Sequence, residues 1–475
     1  MSESVVEHLR VILEPHSVAI IGASNDRSKF GGGSFYRALQ TGFRGPLYPV
    51  NPNRAEVFGV RVYPSILDID GEVEMAVIAI PYPMVLSTVQ DCIKKGVKGM
   101  VVETAGFAEA GAEGKALQDR LVRMTQDAGI RFVGPNSLGL YSAAVRLNLV
   151  FDRTPLPGAI SFISQSGTFG EYLFNAATQK GYGFRVFVGS GNQSSLNVCD
   201  YLEYLAQDED TKAIALYLEG VMEGPRFLQL AREVTRTKPI IVYKGGGTTA
   251  GARAAFSHTA SIAGADVVFD AFCRQAGVIR CSEPVHIFDM AEALVHQPLP
   301  KGNRVGIIGT GGLCVTTADA CASLGLQLPE LDEATKARLL EILPDYAPVP
   351  TNPVDEAASS SGKDFVWSRL VEAVAQVDYI DGIIALNPYA SFDEERMADR
   401  IDDLLAEMEV VASVPIKYEK PLVVTALPEG DKLAFQLMRR EGIPFYSTPG
   451  ESARAMYGLM RYAEIRRSRD GVNPR

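Results

Sequence analysis

The sequence is poor in the residues that build metal sites and covalent staples. Its six cysteines, Cys92, Cys199, Cys273, Cys281, Cys314 and Cys321, form no CxxC pair, which excludes the spacing of a structural zinc site and suits reduced core thiols. Tryptophan occurs once and histidine five times. Long apolar runs are missing as well. A membrane helix needs roughly 18 or more uninterrupted apolar residues, and the richest stretch, Met75 to Leu86, carries Pro81 and Pro83, so no membrane span is expected. The opening MSESVVEHLRVILEPHS is acidic and amphipathic, not a basic start followed by an apolar core, so no export signal is expected and the location expected is cytoplasmic. Basic residues are outnumbered, 46 Lys and Arg against 57 Asp and Glu, for a net charge of −11. Such a field repels polyanions and excludes general nucleic-acid binding, so a bound phosphate must occupy a local site.

What is present belongs to a folded chain of several cores: 475 residues with 47% hydrophobic and 22% charged, a length that implies about three domains. Short apolar runs such as SVAIIG (17–22), MAVIAI (75–80), GMVVE (99–103), AISFIS (159–164), AIALYL (213–218), RVGIIG (304–309) and PLVVTA (421–426) alternate with helical-period segments. That alternation predicts an α/β protein with parallel sheets covered by helices. Three times an apolar strand runs into a turn of small residues and a helix, at Gly22-Ala23-Ser24, Ser164-Gln165-Ser166-Gly167 and Gly309-Thr310-Gly311-Gly312. Three times a helix closes on Gly and a short apolar strand, at Gly129, Gly277 and Gly442. Joints rich in Pro and Gly lie near 153–159 and 296–303. The expected division is three doubly wound domains, 1–150, 151–298 and 299–475.

The first domain opens with a strand, then Gly22-Ala23-Ser24, then Lys29 and Gly31-Gly32-Gly33 before a helix. Small residues let a phosphate approach the backbone, and the helix N-terminus supplies oriented N–H donors. The spacing is not GxGxxG, and no acidic residue ends the second strand, LYPVNPN (47–53), which disfavours NAD. Asn51, Ile80-Pro81 and Asn136 also fall at strand C-terminal ends, where such sheets bind ligands. In the second domain Ser164-Gln165-Ser166-Gly167-Thr168 joins a strand to a helix, an anion site by construction or a plain N-cap.

Among the histidines, His258 stands apart, in Ser257-His258-Thr259-Ala260-Ser261 after the glycine-rich Gly245 to Gly251. Gly, Ser and Thr crowd both sides, which suits an imidazole on a pliant loop near phosphate-binding elements. Imidazole is a nucleophile near neutral pH, and a carboxylate accepting its second N–H fixes the tautomer. Glu219, ending the strand AIALYLE, is the partner expected, on the same sheet edge as the Ser166 turn. Lys244 ends the next strand and either neutralises phosphate or forms a structural ion pair.

The strings VAIIGAS, SQSGT, LYLEG, SHTASIAG, TGGLCVTTADACASLGLQLPEL and NPVD together resemble the α-subunit-like portion of the NDP-forming acyl-CoA synthetases, which include ADP-forming acetyl-CoA synthetase and are related to succinyl-CoA synthetase. The resemblance spans essentially the whole chain. It implies a Rossmann-like CoA-binding domain and two flavodoxin-like domains of the succinyl-CoA synthetase type, the first of them carrying the active histidine. The implied activity is an acid–CoA ligase (ADP-forming) that interconverts acyl-CoA, phosphate and ADP with carboxylic acid, CoA and ATP through acyl phosphate and phosphohistidine. By the same resemblance His258 is phosphorylated, Glu219 orients it, and Gln165, Ser166 and Gly167 hold phosphate. The loops at Gly22, Ala23, Ser24, Lys29, Asn51, Asn53, Ile80, Pro81 and Asn136 receive CoA.

Two departures are visible. Ala260 replaces the usual Gly after Ser-His-Thr. The stretch after Glu429 offers none of the Lys-rich strands or Mg-binding acids of an ATP-grasp domain, so ATP/ADP and Mg2+ are expected on an ATP-grasp β subunit, in a hetero-oligomer or with a homodimer of this chain. The alternative reading is a non-catalytic CoA-binding regulatory protein of the same fold.

Overall fold

Strands form where runs of β-branched and other apolar residues are buried on both faces, as parallel sheets between helix layers require. The structure, a computed structural model, describes residues 4–248, 250, 251, 253, 266–357, 366–386, 400–427 and 433–469. The chain divides into two compact units, Met1–Val285 and His286–Arg475.

The first unit holds two large sheets. One is five-stranded and parallel: β1 (Val18–Ile21), β2 (Leu47–Val50), β5 (Met75–Ile78), β6 (Gly99–Val102) and β7 (Arg131–Val133), in the order β2-β1-β5-β6-β7. A small antiparallel hairpin, β3 (Glu56–Val57) with β4 (Val60–Arg61), follows β2. The other sheet has seven strands: β8 (Gly139–Ser142), β9 (Leu147–Asn148), β10 (Pro157–Ser164), β11 (Phe184–Gly189), β12 (Ala213–Leu218), β13 (Ile240–Lys244) and β14 (Ile279–Arg280). Their order is β14-β13-β12-β10-β11-β8-β9, with β8 antiparallel to β11. Each sheet reverses its winding once, between β1 and β5 in the first and between β10 and β12 in the second. Ligands of open α/β sheets bind in the crevice beyond the strand C-termini at such reversals.

The second unit is built on β15 (Val305–Gly309), β16 (Val354–Asp355), β17 (Gly382–Leu386), β18 (Leu422–Thr425) and β19 (Phe445–Tyr446), parallel in the order β16-β15-β17-β18-β19. Its core includes Ile308, Trp367, Leu370, Ile383 and Leu422.

The α/β class read from the sequence is the one observed. Two interior strands of the second sheet escaped the sequence reading, β8 and β11, and β11 lies between β10 and β8. Arg185 interrupts its apolar run, yet the strand is buried throughout. The guanidinium is held there by Asp208 at 3.0 Å and by Glu14 at 2.5 Å. A buried cation is tolerated only when paired in this way. All six cysteines are buried. Among the described residues no helix is long and apolar enough to cross a membrane, and no acidic, His or Cys cluster could hold a metal.

Candidate active site

The second winding reversal builds the site. β10 ends at Ser164, and Gln165-Ser166 turns the chain into the helix Gly167–Gln179. Ser166, the N-cap residue, is extended and only 8% exposed, yet its side chain makes no cap hydrogen bond. The hydroxyl is therefore not spent on capping, and the positive end of the helix stays available to an anion. Ser164 braces the turn by donating from Oγ to the Ser166 carbonyl at 2.7 Å.

Gln165 ties this turn to the end of β12. Its Oε1 accepts the Gly220 N–H at 3.0 Å and also that of Glu219, while its Nε2 donates to the Gly220 carbonyl at 2.8 Å. Glu219 is 6% exposed, and its Oε2 is buried with no hydrogen-bond partner among the described residues. The chain leading toward position 258 starts beside it: a Cβ at Gly245 would stand 2.7 Å from the Tyr217 hydroxyl and 3.6 Å from Glu219 Cγ. His258 itself lies outside the described residues.

Gln165, Ser166, Gly167, Glu219 and Asn136 border one cavity of about 530 Å³. The structure thus brings the expected phosphate turn, the expected carboxylate and one residue expected of the CoA loops onto a common wall. Further wall residues are Glu103 after β6 of the first sheet, Gln118 in the helix Ala112–Asp127, and Asn192 and Gln193 in the loop after β11. Asn192 Nδ2 donates to Glu109 Oε2 at 2.5 Å and to Gln118 Oε1 at 2.9 Å. Asn136 Nδ2 reaches Asn192 Oδ1 at 3.4 Å. Burial would raise the Glu109 carboxyl, but hydrogen bonds from Asn192 and from the Phe107 and Gly106 N–H groups outweigh it and hold the group low. Gly191 permits this loop: its φ is +56°, and a Cβ there would meet the Pro135 carbonyl at 2.4 Å.

Glu103 is 2% exposed and accepts from Ser34 Oγ at 2.8 Å through Oε1. Burial lifts its carboxyl to about 8, against the opposing Ser34 hydrogen bond and the Arg37 charge. The sequence reading missed it, although its signal matches that of Glu219: an acid ending an apolar strand, GMVVE beside AIALYLE. Asn192 and Gln193 were missed with β11, the strand that delivers them.

The remaining expected residues gather at the winding reversal of the first sheet, off the wall of that cavity. Gly22 follows β1 with φ +101°, and a Cβ there would fall 2.2 Å from the Ala79 carbonyl. Gly31 and Gly32 leave equally little room, with Cβ positions 2.4 Å from the Gly22 carbonyl and 2.0 Å from that of Asp26. Lys29 is the N-cap of the helix Phe30–Thr41 and makes no cap bond; its Nζ is 4.0 Å from Asp26. Asn51 donates to the Ala23 carbonyl at 2.8 Å and accepts the Asn53 N–H at 2.9 Å, so its amide braces the loop. Ser24 Oγ accepts the Asp26 N–H at 3.2 Å. The Ile80 N–H points at Thr104 Oγ1, 3.3 Å away, and Pro81 starts the 3-10 turn Tyr82–Met84. A glycine-lined, uncapped helix start fits a pyrophosphate-bearing ligand such as CoA.

Lys244 is buried with its Nζ 3.4 Å from the Gly245 carbonyl and 5.8 Å from the Phe269 ring centre, off the cavity wall. Burial lowers its ammonium below the usual lysine value, with Asp266 opposing.

Comparison with known proteins places the fold in a family. Residues 16–143 match the model of a CoA binding domain, and residues 157–294 that of a succinyl-CoA ligase like flavodoxin domain. The α subunit of the ADP-forming acetate–CoA ligase II of Pyrococcus furiosus is 38% identical over 96% of this chain and 98% of its own. The ADP-forming acetate–CoA ligase II of Archaeoglobus fulgidus is 35% identical over 97% of this chain, which spans 68% of that longer protein. A solved structure of Ca. Korarchaeum cryptofilum acetyl-coenzyme A synthetase 1, described as dinucleotide forming and in complex with phosphate and ADP, superposes with a TM-score of 0.85 at 31% identity over all of both chains.

Proposed function

The chain belongs to the family of ADP-forming acetate–CoA ligases, and from that membership we propose that it is the α subunit of an acid–CoA ligase working through acyl phosphate and phosphohistidine. Its CoA-binding domain makes CoA a ligand. The observation that carries the reading is the meeting, on one cavity clamped by Gln165, of the Ser166 helix start and the Glu219 carboxylate, whose Oε2 has no hydrogen-bond partner among the described residues.

The roles follow from what each group offers. The N–H groups of the helix Gly167–Gln179 and the free Ser166 hydroxyl hold phosphate. Phosphate attacks the thioester carbonyl and the C–S bond breaks, releasing CoA thiol; the acyl phosphate formed passes its phosphoryl group to His258 as its P–O bond to the acyl oxygen breaks and the carboxylate leaves. Glu219 accepts the second imidazole N–H and supports the positive charge that develops on phosphorylation. Gly22, Ala23, Ser24, Lys29, Asn51, Asn53, Ile80, Pro81 and Asn136 receive the coenzyme, the glycines through close backbone approach. The domains divide at 1–150, 151–298 and 299–475. An ATP-grasp partner subunit binds ATP or ADP with Mg2+, and the assembly works in the cytoplasm.

The test is phosphate labelling. Incubation with an acyl-CoA and radioactive phosphate, or with ATP and the partner, should yield acid-labile, base-stable label that is absent from His258→Gln. No label with a working partner would return the chain to the reading of a non-catalytic CoA-binding protein.

A further inference from the structure

We infer that Glu103 bears a proton and donates a hydrogen bond from Oε2 to the acyl oxygen of the substrate. This rests on the proposed use of the cavity and adds a residue to it. Glu103 follows β6, at the strand C-termini where open α/β sheets bind ligands, and borders the same cavity as the Ser166 turn. Its Oε1 is occupied by the Ser34 hydroxyl at 2.8 Å, whose weaker second contact is the Leu149 carbonyl at 3.2 Å. Its Oε2 is buried without a hydrogen-bond partner among the described residues.

The surroundings decide the proton. Arg37 is the cation whose charge acts on Glu103, but its Nε is engaged by Asp152 at 2.9 Å, and Glu171 shares its field. Gly139 packs against the carboxyl with no charge to offer; a Cβ there would stand 3.2 Å from Oε1. A carboxyl taken out of water with no cation bonded to it keeps its proton, consistent with the lift to about 8. A protonated carboxyl has one O–H donor. With Oε1 receiving the Ser34 hydrogen, that donor falls on Oε2, which then lacks an acceptor until a ligand supplies one.

The substrates of the proposed reaction are carboxylate, phosphate and acyl phosphate, all anions, which an ionised Glu103 would repel. The neutral acid suits them. In the thioester direction a phosphate oxygen bonds to the carbonyl carbon and the C–S bond breaks. The sulfur leaves with the bonding pair and takes the proton that hydrogen phosphate loses, giving acyl phosphate and CoA thiol. Glu103 keeps its proton throughout; its hydrogen bond strengthens as charge gathers on the acyl oxygen.

The experiment follows phosphate-dependent CoA release by the full chain, with an ATP-grasp subunit added, from thioesters running from acetyl-CoA to phenylacetyl-CoA. Glu103→Leu should lower kcat about 100-fold, the scale of losing one donor to a developing oxyanion. Glu103→Gln keeps an N–H at the same place and should restore kcat to within about tenfold of wild type. Wild type is expected to lose activity above about pH 8, where Glu103 gives up its proton, and Glu103→Gln should remove that loss. Equal losses in the two variants, or an unchanged alkaline limb in Glu103→Gln, overturn the inference. Infrared spectra at pH 7 give a readout free of turnover: a protonated-carboxyl band present in wild type and absent from Glu103→Gln is expected, and its absence from wild type overturns the inference even if the Leu variant fails to fold. A wild type inactive on every thioester sinks the cavity reading and this inference together; an active wild type with indistinguishable variants sinks this inference alone.

Discussion

Gln165 and Gly220 are hydrogen-bonded in both directions, side-chain oxygen to backbone N–H at 3.0 Å and side-chain nitrogen to backbone carbonyl at 2.8 Å. One amide thereby continues the pairing of β10 with β12 past the point where the strands end. It fixes the Ser166 turn relative to the Glu219 backbone, which under the proposed roles sets the distance across which a phosphoryl group is handed.

Gln165→Leu should therefore cost about 1–3 kcal/mol, because it strands buried backbone donors. Phosphohistidine label should fall further than the stability loss explains. Gln165→Glu keeps the acceptor and should recover part of the stability while weakening phosphate binding by its charge. Urea midpoints and label yield on the same samples separate the two effects. Full labelling in Gln165→Leu would show that the clamp does not position the site.

Two helix starts in the second sheet's domain make an internal contrast. Asn197 caps Val198–Gln207 through a capping box, its Oδ1 accepting the Cys199 N–H at 2.8 Å. Ser166 performs no such service. Asn197→Ala should cost about 1 kcal/mol, and Ser166→Ala less than about 0.5 kcal/mol, whereas phosphate affinity should drop in Ser166→Ala alone. Calorimetric unfolding and phosphate titration check the pair; an equal stability loss in both would make Ser166 structural.

Gly22→Ala should destabilise by at least the order of 1–3 kcal/mol expected of a side chain forced into left-handed backbone, with the Ala79 carbonyl contact in addition. CoA binding, measured by titration calorimetry, should be lost. Gly96→Ala is the control: its φ is +84°, but nothing lies within 4 Å of the added Cβ, so only the backbone penalty applies and CoA affinity should be retained.

The raised Glu103 carboxyl predicts a pH dependence of stability. Between the ordinary value near 4.5 and about 8 the folded chain holds a proton that the unfolded chain has released. The unfolded state binds fewer protons there, so this group's contribution falls as pH rises through that window and levels off above it. Glu103→Gln should abolish the term, gaining on wild type in going from pH 5.5 to pH 8. Denaturant midpoints at the two pH values measure it; a constant difference between the proteins would mean that Glu103 is ionised in the fold.

Much of this arrangement was legible along the chain. Alternating apolar runs and helical periods marked the parallel sheets, because a strand buried on both faces must be apolar throughout. The Ser166 turn and Glu219 were legible because small residues and acids at strand ends stand out against such runs. Glu103 carried the same mark and was passed over for lack of a neighbouring motif. β11 was hidden by Arg185, whose charge reads as surface until Asp208 and Glu14 are seen to surround it.

Local chemistry was thus written into the order of residues: which strands would bury, where turns of small residues would lead into helices, and where a histidine stands among small polar neighbours. Tertiary structure alone decided which of these meet. Gln165 and Glu219 are separated by 54 positions yet clamp together because the winding reverses between β10 and β12. Glu103, an acid ending an apolar strand in the sequence, becomes a buried one whose carboxyl is lifted because packing removes its water. Strand order and desolvation are properties of the assembled sheets, and no residue carries them by itself.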